Sequence, residues 1–189
     1  GFALSSMVVP VVLPELVQEF SLVGAQQGYY GLFNSVFAIA AILSVFLLQG
    51  RVRKFGMLIF AMLLMALTMV WAGLSRSFAV MLAAYAINGV GIGYFEIYAS
   101  AAILDLQPER SSVYMGMLHG FFGLGALICP FLGRLLLAWF GWQGTHIAFG
   151  VLVLLAMLQA VAVSAAVKKK GAPAHPVPEP KLTREHWRA

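Results

Sequence analysis

The sequence predicts an all-α membrane protein, a bundle of six transmembrane helices with its first helix truncated. Three observations predict it. Apolar residues fill 61% of 189 positions and charged residues only 10%, against roughly 25% charged in a soluble domain. The apolar residues form six blocks separated by short polar turns. The cations gather in alternate turns instead of covering a whole surface. In a chain solvated mostly by lipid, function resides in the few polar residues that the helices carry.

A helix needs about 20 apolar residues to cross the hydrocarbon core. The first block, residues 1–13, is too short at about 1.5 Å per residue. It reads as the far half of a helix whose start is missing, because the chain does not begin with Met. No basic stretch precedes it and no small-residue cleavage site follows, which argues against a signal peptide. The second block is uncharged from Ser21 to Gly50, and a span is expected at 27–49. The third, Phe55 to Ser75, predicts a span at 55–74. The fourth, Ser77 to Leu104, is broken only by Glu96 and predicts 78–104. The last two spans are expected at 112–138 and 145–167, with Arg134 near the outer end of the fifth. Pro10 and Pro130 predict kinks.

The turn after the second helix carries Arg51, Arg53 and Lys54; the turn after the fourth carries Arg110. The tail adds Lys168, Lys169, Lys170, Lys181, Arg184 and Arg188. The positive-inside rule puts these segments in the cytoplasm. A multi-pass protein of the inner or plasma membrane with a cytoplasmic tail is expected. Trp71, Trp139 and Trp142 fall at helix ends, where indoles favour the membrane interface. Residues 1–167 then form the bundle. Residues 168–189 read as a basic, Pro-rich linker toward a second bundle absent from this chain, with Gly171 to Pro180 as its extended part.

The same features exclude several function classes. The net charge of +5 reports topology and does not point to nucleic acid. A single cysteine, Cys129, permits neither a disulfide framework nor a zinc site. No metal cluster or cofactor motif is visible. Gly89 to Gly93 is glycine-rich, but no strand precedes it, so a nucleotide loop fails on context. With no nucleophile–base pair either, an enzyme is not expected.

On the fourth helix Gly89, Gly93, Glu96 and Ser100 follow at steps of four, three and four, so they share a face. Glu96 is the one acid inside a span, at a cost of roughly 2.5 to 3.5 kcal/mol if it sits near the centre. It is the candidate proton carrier, with a structural carboxylate as the alternative. On the fifth helix Gly116, His119, Gly120, Gly123 and Pro130 mark a similar face. Histidine changes charge near neutral pH, and Glu96 and His119 lie at similar depths, so a hairpin of the two helices brings them together. Asn34 and Ser35 on the second helix, and Ser5 and Ser6 on the first, either bind a ligand or join helices. The glycines Gly89, Gly93, Gly116, Gly120 and Gly123 and the kink at Pro130 are expected to serve helix packing and gating.

These patterns resemble the N-terminal half of a major facilitator superfamily transporter, over nearly the whole chain. Gly50-Arg-Val-Arg-Lys-Phe-Gly56 is similar to the family's loop after the second helix, with Arg53 where an acid usually stands. Its members here are Gly50, Arg51, Arg53, Lys54 and Gly56. Asn88-Gly-Val-Gly-Ile-Gly93 resembles the family's fourth-helix stretch, with Tyr85 at its arginine position. His119 to Pro130 resembles the fifth helix. Gly50-Arg51 before Phe55-Gly56, and Gly133-Arg134 before Phe140-Gly141, echo one another as in a 3+3 inverted repeat. Glu96 and Ser100 bear a distant resemblance to fucose-type sugar–proton symporters. The resemblance implies a secondary active transporter working by alternating access, as proton-coupled symport or antiport. Its partners would be a small solute such as a sugar, protons, the bilayer and a C-terminal six-helix half. The alternative is a self-contained six-helix protein acting as a dimeric transporter or channel, or as a lipid-binding scaffold.

Overall fold

The computed structural model describes residues 2–48, 51–106 and 108–169. Five helices follow in order: α1 (Phe2–Glu19), α2 (Tyr29–Leu48), α3 (Lys54–Leu74), α4 (Phe78–Leu106) and α5 (Ser111–Lys169). Short 3-10 turns at Gly24–Gly28 and Pro108–Arg110 lead into α2 and α5. Each of the five is long and apolar enough to cross a membrane, as the all-α reading requires. Gly50 and the linker from residue 170 onward lie outside the described residues.

The 59 residues of α5 would reach about 90 Å if straight, roughly three times the hydrocarbon thickness. The helix breaks at Gly141, with φ 66° and ψ −176°, a conformation open to glycine because it has no Cβ. The packing partners show that the chain doubles back there. Phe2 stacks on Phe95, and Phe20 lies against Phe78, so α1 runs antiparallel to α4. Asn88 reaches Thr68 while Gly91 abuts Ala61, so α3 is also antiparallel to α4. Gly125 meets Ala3 and Gly133 meets Val11, which sets the first arm of α5 (111–140) parallel to α1. Gly73 meets Gln143 and Ile147 while Gly150 meets Ala66, which sets the second arm (142–169) antiparallel to α3. The arms thus oppose one another and the bundle has six passes.

Two local expectations change. The helix of the first block runs to Glu19, six residues past the apolar run, because Val8, Val12 and Leu16 continue one fully buried stripe at steps of four. Trp142, unlike Trp71 and Trp139, does not face outward from the bundle. It is buried against Phe20 at the start of the second arm, where its large apolar ring closes the space between α1 and α5. Trp71 and Trp139 remain exposed, in keeping with an interfacial place.

Candidate functional site

α4 organises the polar residues, and its two ends treat them differently. Toward the Phe78 end they are buried and paired. Ser5 Oγ donates to Asn88 Oδ1 at 3.0 Å, and Asn34 Nδ2 donates to the same oxygen at 3.3 Å. Asn88 Nδ2 donates to Thr68 Oγ1 at 3.0 Å. Asn34 Nδ2 also donates to the Tyr85 carbonyl at 3.1 Å. One side chain on α4 therefore ties α1, α2 and α3 together. Gly89 and Gly93 make this possible: an added Cβ would strike the carbonyls of Asn34 and Ala38, so α2 lies directly on the α4 backbone there.

One turn back along α4, Tyr85 and His146 form a second buried pair at 2.6 Å. His146 Nδ1 lies 2.7 Å from the Trp142 carbonyl. A carbonyl only accepts, so Nδ1 carries the proton, and in the neutral ring Nε2 accepts from the Tyr85 hydroxyl. The tyrosine standing at the family's arginine position is thus bonded to the last arm of the bundle.

Toward the other end Tyr94 bonds Ser44 and Asp105 pairs with Lys54, but three polar side chains have no partner among the described residues. Glu96, Ser100 and His119 line one cavity of about 600 Å³ between α1, α4 and the first arm of α5. Phe2 forms one wall with Phe95 and Phe122, at ring distances of 5.5 and 4.9 Å. The carboxylate and the imidazole are both exposed to this space. They share it, but among the described residues no hydrogen bond or ion pair joins them to each other. Asn34 is not in this cavity; it belongs to the paired region and to a smaller recess near the start of α2.

The glycines of α5 sort differently from the expected packing face. Nothing lies within 4 Å of a Cβ placed on Gly116, Gly120 or Gly123. The face that packs on α1 is Gly125, Cys129 and Gly133, again at steps of four but roughly on the opposite side. The helix carries two stripes of small residues, and only one is used within this bundle. Pro130, at the end of the open run, is exposed and lies within an unbroken helical stretch. In the turn between α2 and α3, Arg51 and Arg53 are exposed, Gly56 is uncrowded, and Lys54 pairs with Asp105 at the end of α4.

The chain from residue 1 to 189 matches the family model described as Major Facilitator Superfamily. The chain belongs to that superfamily. It is 29% identical over 140 residues to a tetracycline resistance protein, class H, of Pasteurella multocida, covering 72% of this chain and 34% of that protein. It is 27% identical over 150 residues to the multidrug resistance protein MdtL of Shewanella sp. (strain ANA-3), covering 77% of this chain and 37% of that protein. The chain therefore spans about a third of the length of these curated relatives. No solved structure gives a significant match. Superfamily membership makes this a transporter-type chain, not an enzyme, and accounts for its six-pass bundle.

Sequence reading missed Asn88 as the hub and the Tyr85–His146 bond. A signal for the first was present: the chain has only two asparagines, Asn34 and Asn88, and they bond to each other. No local signal links Tyr85 to His146, which are 61 residues apart.

Proposed function

We propose that this chain is the N-terminal half of a secondary active transporter that moves a small organic solute by alternating access, coupled to protons through Glu96. Glu96 carries the reading. It lies in the middle of the apolar run 77–104, it stands in a cavity of about 600 Å³, and among the described residues no cation pairs with it. An intramembrane carboxylate is costly and by default functional. Ser100 and His119 share its cavity, the first as a hydrogen-bonding group for solute, the second as a partner in proton transfer.

The missing half is supported by what this half leaves uncovered. α2 buries only Tyr30 and Ala41, and the Gly116–Gly120–Gly123 stripe meets nothing. A second six-helix bundle packed on these faces would close the cavity and rock against it, with binding at the midplane. The basic turn at Arg51–Lys54 and the basic tail would then lie in the cytoplasm. The solute class follows the relatives more than the sugar resemblance: both carry resistance in their names, which favours proton-driven export of a drug-like compound.

The test is transport by the full-length protein in proteoliposomes with an imposed pH gradient. Gradient-driven flux that disappears on Glu96→Gln, with expression and folding retained, is the expected outcome. Flux independent of both the gradient and Glu96 would overturn the reading.

A further inference from the structure

A second recess, of about 280 Å³, lies between α1, the start of α2 and α4. It is separate from the Glu96 cavity, with which it shares no lining residue. Its lining carries no charged group. What it offers is a set of unpaired neutral polar atoms, each with a distinct origin.

Pro10 has no N–H, so the carbonyl four residues back, on Ser6, has no helical donor; both residues line the recess. Asn34 spends its amide hydrogens on Tyr85 and Asn88, and its Oδ1 accepts no bond among the described residues. Gln27 uses its Nε2 on the Leu22 carbonyl at 3.5 Å, and its Oε1 accepts no bond among the described residues. The Tyr30 hydroxyl is buried and has no partner. Gly28 and Gly31 have no atom within 4 Å of an added Cβ, so space is open above their backbone.

We infer that this recess is a binding subsite for a neutral solute rich in hydroxyl or amide N–H groups. Two side-chain oxygens and a backbone carbonyl border the recess, the unpartnered Tyr30 hydroxyl is buried in its wall, and no carboxylate lines it to neutralise a cation. An anion would face mostly oxygens. This extends the transporter reading by naming a ligand chemistry, but binding here does not require that reading to hold.

The experiment uses the full-length protein in vesicles, with Gly31→Cys as the sole reactive cysteine, and measures its labelling rate by N-ethylmaleimide. Glycerol, glucose and urea are the neutral probes; tetramethylammonium and acetate at equal osmolarity are the charged ones. At least one neutral probe should slow labelling severalfold, and neither charged probe should. Tyr30→Phe removes only an unpaired hydroxyl, so it should leave the melting temperature unchanged or raised while weakening protection about fivefold. Protection should survive Glu96→Gln, so loss of proton coupling and loss of this subsite read out separately. Absence of labelling, protection by no neutral probe, or protection by tetramethylammonium would each overturn the inference. Full protection in Tyr30→Phe would remove that hydroxyl from the site.

Discussion

The Asn88 region and the Glu96 region sit two turns apart on one helix, and they use polar residues to opposite ends. Around Asn88, side chains from four helices exchange hydrogen bonds at 2.9–3.3 Å and the backbones touch through Gly89 and Gly93. Around Glu96, the carboxylate, a serine and a histidine look into open space with no bond among them. A polar group in a membrane helix must be satisfied or must meet water or ligand. The first region takes the former course and behaves as glue. The second takes the latter, and its unpaired groups are available for chemistry.

The contrast can be broken most forcefully at Glu96. Glu96→Gln should abolish pH-gradient-driven flux in the full-length protein and leave its thermal stability near that of the parent. A large fall in melting temperature would mean that Glu96 is structural after all. Next in size is Gly89→Ala, whose methyl would collide with the Asn34 backbone. Overpacking of this kind costs about 1–3 kcal/mol, measurable by unfolding in detergent. Gly120→Ala, on a face of α5 that is open within this chain, should change the stability of this chain alone by no more than about 0.5 kcal/mol, and a larger cost in the full-length protein would show that the second bundle packs there.

Smaller effects sharpen the same distinction. Asn88→Ala strands donors and acceptors on three other helices and should cost about 1–2 kcal/mol, near the upper end for interhelical bonds in membranes. Tyr85→Phe removes one bond, to His146, and should cost about 1 kcal/mol.

Much of the fold was legible because lipid imposes a simple rule: apolar runs of sufficient length cross the membrane. The last two spans were found even though α5 is a single helical element, since Gly141 breaks it between the two apolar runs. What lay outside that rule was lost. The extension of α1 through Glu15 and Glu19 depends on the buried stripe Val8–Val12–Leu16, which is a matter of neighbours and not of hydropathy. Small residues at helical spacing announce a close approach without naming the partner. On α5, therefore, Gly116, Gly120 and Gly123 were expected to pack, while Gly125 and Gly133 are the glycines that meet α1. At the site, Glu96 could be singled out because an acid in a membrane helix is conspicuous by itself. Its company with Ser100 and His119 followed from depth and face. Asn88 was less visible, because its role depends on three residues brought from other helices.

The hub at Asn88 also bears on how the protein is made. A membrane protein leaves the ribosome N-terminus first, at about 5–20 residues per second. Ser5, Asn34 and Thr68, the side chains that Asn88 bonds, all precede it in the chain. When the fourth helix emerges, every partner it needs is already synthesised, so the polar asparagine can be satisfied on arrival. Tyr85 must wait for His146, which is translated 61 residues later. The nascent bundle thus has a sequence of closures written into it, with the four-helix knot first and the final arm sealed last.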